Sequence, residues 1–137
     1  MEHVWTVVCQ LRIDDKQSNN ISLINVLEQV TFISEEGPKG IPIPINVVTM
    51  WRRSQLDQPE QATARLSLIA PNEESLFVQE HNLDLTEYQR LRNTGHFDGL
   101  PFSGTGTYRF VMELQENGEW HKVASVPVEV IEKTPQD

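Results

Sequence analysis

The sequence predicts an all-β chain, an antiparallel sandwich of about 7–9 strands with at most one short helix, with a partly closed barrel as the alternative. Three observations carry that expectation. Apolar residues recur at every second position. Turn signals separate the apolar runs. An Asn-Gly pair joins the two most regular runs. From Gly106 to Gln115, Tyr108, Phe110, Met112 and Leu114 fall on one face, and Thr107, Arg109, Val111, Glu113 and Gln115 on the other. That is the strand period, with one face turned to a core. Asn117-Gly118 supplies the two positive-φ residues of a type I′ turn. Glu119 to Ile131 then returns, rich in valine, so residues 106–131 read as a hairpin.

The other elements follow in chain order. Val4 to Ile13 reads as a strand, and Asp14 to Asn20 as a polar turn, because Asp and Asn side chains bond their own backbone. Ile21 to Phe32 does not alternate cleanly; its β-branched content favours a second strand with a bulge near Asn25 over a short helix. Ser34 to Gly40 is a loop. Ile41-Pro42-Ile43-Pro44-Ile45 is an edge segment or lead-in, since neither proline can donate to a ladder. Asn46 to Arg53 is a strand, Leu56 to Glu60 a turn, and Ala62 to Leu68 an alternating strand that stops before Pro71. Leu76 to His81 is a short strand. Leu83 to Arg92 is the one helix candidate: Asp84 and Glu87 have the spacing of a capping box, with Leu85, Tyr88 and Leu91 as its face. Asn93 to Phe102 reads as extended. Residues 1–133 form one domain and 134–137 a frayed tail.

The chain has 137 residues, 38% hydrophobic and 23% charged, enough for a core without a metal or disulfide. Its net charge of −9 argues against nucleic acid as a partner. The basic residues look scattered: Arg52-Arg53 and Arg90 with Arg92 are pairs that make no stripe. Cys9 is the sole cysteine and sits in an apolar run, so a buried, inert thiol is expected. The N-terminus has no signal-peptide pattern, and no apolar stretch reaches the length of a membrane helix. A soluble, cytoplasmic protein is the expectation.

Gly99-Leu100-Pro101-Phe102 followed by Gly106-Thr107-Tyr108-Arg109-Phe110 resembles the late part of an immunoglobulin-like sandwich. There a tyrosine near the start of the penultimate strand forms a corner hydrogen bond, a role that falls to Tyr108. The chain lacks the cysteine pair of antibody-type domains. Leu11 to Asp15, Ile21 to Val26 and these late stretches also resemble a family of small uncharacterised bacterial proteins. That resemblance implies the sandwich fold and brings no functional residues.

Tests for chemistry single out little. His3, His81, His96 and His121 are not at metal-ligand spacing, and Cys9 has no partner thiol, so no metal or cofactor is expected. No nucleophile elbow occurs. Ser103-Gly104-Thr105-Gly106 lacks the Lys-Ser/Thr end of a phosphate loop and reads as a turn. The pairs Asp14-Asp15, Glu35-Glu36 and Glu73-Glu74 sit in loops as solvated charge. No catalytic residue is assigned. One interaction patch stands out, an exposed Trp51 with Arg52 and Arg53, because Trp and Arg dominate interface energetics. Trp5, Trp51 and Trp120 otherwise read as buried strand residues. The leading functional expectation is a non-catalytic binding or scaffold module with a protein partner or a second copy, through an exposed strand edge or end loops. The alternative is an enzyme or small-ligand site built near His81 and His96, with Asp84 and Asp98.

Overall fold

The computed structural model describes residues 1–33, 40–101 and 103–133. The expected loop at 34–39 with Glu35-Glu36, Phe102, and the tail at 134–137 lie outside the described residues. Among the described residues nine strands alternate with turns: β1 (Glu2–Asp15), β2 (Asn20–Val26), β3 (Gln29–Ile33), β4 (Ile45–Arg52), β5 (Glu60–Ile69), β6 (Ser75–Leu85), β7 (Arg90–Phe97), β8 (Gly106–Glu116) and β9 (Glu119–Lys133). They form two sheets, β2-β1-β4-β7 and β3-β9-β8-β5-β6. The chain is an immunoglobulin-like β-sandwich, and no helix occurs among the described residues. One pairing departs from the antiparallel expectation: β3 runs parallel to β9.

The core lies between the sheets. Tyr108, Phe110, Met112 and Leu114 of β8 are all at most 1% exposed, as their alternation required. Ala64, Leu66 and Leu68 of β5 and Ile45, Val47 and Trp51 of β4 meet them in one cluster. Each large side chain so buried contributes about 1.5–3 kcal/mol. Asn117 and Gly118 adopt φ of 54° and 81°, the turn that Asn-Gly favours. The Tyr108 hydroxyl donates to the Gly104 carbonyl and accepts from the Ser103 amide, both at 2.6 Å. The Ser103–Gly106 stretch is thus a turn held by the tyrosine corner.

Two expectations change and a third is narrowed to one of its alternatives. Residues 21–32 form two strands. The chain leaves the first sheet after Val26: Leu27 still donates to the Val8 carbonyl, while the Glu28 carbonyl already accepts from Glu129 of β9. Asn25, at φ 57°, sits at the break, and the β1–β2 register runs through it unshifted. The helix expected at 83–92 is the end of β6, a tight turn and the start of β7. Leu85 is buried and Tyr88 is 67% exposed, so they share no face. Asp84 uses its capping chemistry in the turn, accepting from the Thr86 amide (3.0 Å) and hydroxyl (2.7 Å). Finally, Ile41-Pro42-Ile43-Pro44 is a lead-in, bridged to Leu100 by two backbone bonds of 2.9 Å, with β4 starting at Ile45.

Candidate functional site

Trp51, Arg52 and Arg53 do not make an exposed patch. Trp51 is 0% exposed. Its indole donates to Asn93 Oδ1 at 2.7 Å, and the His3 ring meets it edge-on. Arg53 is 8% exposed and clamps two turns together, donating to the carbonyls of Leu85, Leu56 and Thr86 at 2.9, 2.7 and 3.2 Å. The alternation that put both on one strand face put that face on the core. Only Arg52 reaches solvent, where Nε lies 3.2 Å from Glu2 Oε2. Trp5 and Trp120 are half-buried, the latter under the Arg65 guanidinium at 4.2 Å.

The histidines do not converge. His81 of β6 is half-buried; Asn93 Nδ2 donates to its Nδ1 at 2.6 Å and its Nε2 donates to Gln79 Oε1 at 2.7 Å. This sets one neutral tautomer, and burial lowers its pKa below the usual 6.5. His96 of β7 is exposed, between Asn46 Oδ1 (2.9 Å) and Asp98 Oδ1 (3.1 Å). Gly95 faces the core beside His81, so the next residue faces the other way. Asp84 belongs to its turn. The site expected near His81 and His96 is therefore not assembled. Asp15 likewise organises a turn, where the Ser18 hydroxyl and then the Gln17 amide lower its pKa. Burial raises the pKa of the Cys9 thiol, and the Leu11 carbonyl it bonds acts against that shift. No group of three or more His, Cys, Asp or Glu able to hold a metal occurs among the described residues.

Two surface features remain. The first is an arm. β1 pairs with β4 only from Glu2 to Cys9, and with β2 from Cys9 to Asp15. The outer half of β1 and all of β2 thus form a two-stranded ribbon. It leans across β4: Arg12 Nη1 donates to Thr94 of β7 at 2.8 Å, and Arg92 Nη2 donates to the Asn19 carbonyl at 2.9 Å. Arg12 and Leu23, paired across the ribbon, are half-buried on its inner side. Leu11, paired with Ile24, and Ile13 beyond it are 49%, 44% and 47% exposed; Val26 at the root is 53% exposed. β2 is a sheet edge with no charged residue.

The second feature is a cleft of about 710 Å³ beside the arm. Trp5, Met50, Leu56 and Tyr88 supply its apolar walls, and Arg52, Arg90 and Glu87 its charges. Arg92 and Arg12 line a smaller hollow next to it. Arg52 stands directly opposite Arg90 across β4 and β7, and Met50 opposite Arg92. Four of the arginines that look scattered along the chain, Arg12, Arg52, Arg90 and Arg92, are therefore gathered on one outer face. Their signal was available: Arg90 and Arg92 at strand spacing share a face, which a helical reading of that segment hides.

No family model matches the chain, and no curated protein matches it. Among the described residues no helix is long and apolar enough to cross a membrane, which says nothing of membrane-crossing strands. Among solved structures, the chain is similar to a glycosyl hydrolase family 2 member from Bacteroides cellulosilyticus, with TM-score 0.54 and 8% identity. The match covers 68% of this chain and 13% of that one, and at this identity the likeness lies in the sandwich fold alone.

Proposed function

We propose that the protein is a non-catalytic binding module whose β1–β2 arm receives a protein partner. One observation carries the reading: a ribbon whose inner side already packs on β7 keeps Leu11, Ile13 and Ile24 on its outer side. A ribbon with one solvated face ordinarily alternates apolar-in and polar-out. Contiguous exposed apolar surface on a soluble domain marks an interaction site. The free, uncharged edge of β2 offers backbone groups to an added strand, the partner strand's apolar side chains extending the same stripe. An added strand from a second copy of the chain is one form of this, and a different protein the other. A cytoplasmic setting goes with the reading, supported by a single cysteine that is buried and free. Kinship with the small bacterial sandwich proteins belongs to the same proposal.

Capture from the native cell with the intact chain and with Ile24→Asp tests it, beside light scattering of both forms. The expected result is a partner, or a dimer, that the variant loses while its Tm stays within about 3 °C of the parent, as befits an exposed site. Identical partners and identical mass for both forms refute the arm as the contact surface.

A further inference from the structure

We infer that the cleft beside the arm is a second binding site, taking an extended acidic protein segment with one aromatic or large aliphatic side chain between its carboxylates. Charge is the first argument. The chain carries a net −9, yet Arg12, Arg52, Arg90 and Arg92 gather on one face. Arg12 and Arg52 have a carboxylate each, Asp14 and Glu2, in pairs open to solvent. No carboxylate pairs with Arg90 or Arg92 among the described residues; Arg92 is bonded to the neutral Asn19.

Spacing is the second argument. Arg52 and Arg90 are direct cross-strand neighbours, a like-charge placement that destabilises a sheet. An anion bound between them removes that repulsion. Arg90 and Arg92 project from one strand face at ~6.7 Å, the same repeat that separates alternate side chains of an extended peptide. Carboxylates two residues apart can therefore meet successive guanidiniums, each of which can donate two parallel hydrogen bonds to a carboxylate.

The apolar walls supply the anchor. Trp5 and Met50 line the cleft, and Tyr88, 67% exposed at the β6–β7 turn, stands where it can close over an inserted side chain. A rigid aromatic next to arginine is the composition of interface hot spots. A long nucleic acid carries the right charge, but the surrounding acidic surface opposes it along its whole length.

Fluorescence anisotropy of a short labelled peptide, with glutamates at alternate positions around one phenylalanine, tests the assignment on the full chain. Saturable binding that weakens with salt is expected. Arg90→Glu combined with Arg92→Glu is expected to weaken it roughly tenfold or more, while Tm holds or rises because the Arg52–Arg90 repulsion is gone. Should the double variant lose its fold, Tyr88→Ala on the exposed turn serves instead, with about a threefold loss expected. Replacing the peptide's phenylalanine by glycine is expected to cost a similar factor. Absence of saturation, unchanged affinity in a folded double variant, displacement of the peptide by an equal concentration of inorganic phosphate, or tighter binding of a single-stranded oligonucleotide each overturns the inference. Ile24→Asp on the arm leaves this binding intact, which separates the two sites.

Discussion

Replacing Asn93 by leucine tests how the two sheets are tied at their β6–β7 edge. Asn93 sits on β7 and faces two partners at once. Its Oδ1 accepts from the Trp51 indole at 2.7 Å, and its Nδ2 donates to His81 Nδ1 at 2.6 Å. The indole N–H donates only, so it fixes which way the amide points. The amide then fixes the His81 tautomer, and His81 Nε2 donates onward to Gln79. Leucine is close to isosteric and removes both bonds. Trp51 is 0% exposed, so its N–H is stranded at a cost of about 1–3 kcal/mol. His81 is half-buried and keeps Gln79, so water makes good part of its loss. Together a loss of about 2–4 kcal/mol is expected, a large share of the roughly 5–15 kcal/mol typical of a domain. Urea unfolding should show a lower midpoint with unchanged slope. A cycle with Trp51→Phe isolates the pair: once the indole N–H is gone, Asn93→Leu should cost at least about 1 kcal/mol less. A cost below roughly 0.5 kcal/mol, or strict additivity in the cycle, refutes the relay.

Other outcomes follow from the same geometry. His81 has a folded pKa below its usual 6.5 because burial disfavours the charged form. The unfolded chain therefore binds the proton first, and stability falls as pH drops below 6.5 until the folded pKa is passed; in His81→Leu that part of the acid slope should vanish from unfolding curves taken between pH 7 and 5. Gly95→Ala would set a Cβ 2.8 Å from Leu66 Cδ2 and 3.1 Å from Gln79 Oε1, at a buried position. A loss of about 1–3 kcal/mol in chemical denaturation is expected. Tyr108→Phe removes the hydroxyl that holds Ser103 and Gly104, and should cost about 1–2 kcal/mol without changing the far-ultraviolet spectrum.

Much of the fold was legible in the sequence because its strands obey one rule. Tyr108 to Leu114 alternate without a break, and Asn117-Gly118 encodes its own turn, so β8 and β9 needed no tertiary information. The corner hydrogen bond of Tyr108 was legible for the same local reason. Residues 21–32 misled because β2 is apolar on both faces, with Leu23 half-buried and Ile24 exposed, and because the chain changes sheets after Val26; in one dimension both look like a bulge. Residues 83–92 misled because an Asp followed by Thr and Glu satisfies backbone amides equally well at a helix start and in an Asx turn. That error hid the candidate cleft. Read as a helix, Arg90 points away from Tyr88 and Arg92; read as a turn and a strand, Arg90 and Arg92 share one face beside Tyr88. Trp51 and Arg53 were placed on the right shared face, but alternation does not say which of two faces meets the other sheet.

Val47 and Val48 are consecutive and both 0% exposed. Neighbouring strand residues point to opposite sides, so β4 is covered on both. One cover is the opposite sheet, which Val47 meets in the core cluster. The other has to lie over the outer face, where Thr94 stands opposite Val48 and is held by Arg12 of the arm. The arm thus acts as a partial third layer, and its inner side accounts for its half-buried Arg12, Ile21 and Leu23. Nothing in that role uses Leu11, Ile13 or Ile24, which polar residues could replace without loss of cover. Folding explains one side of the ribbon. A partner that buries the other side explains the rest, and it would meet the protein next to the arginine cleft that the same arm helps to frame.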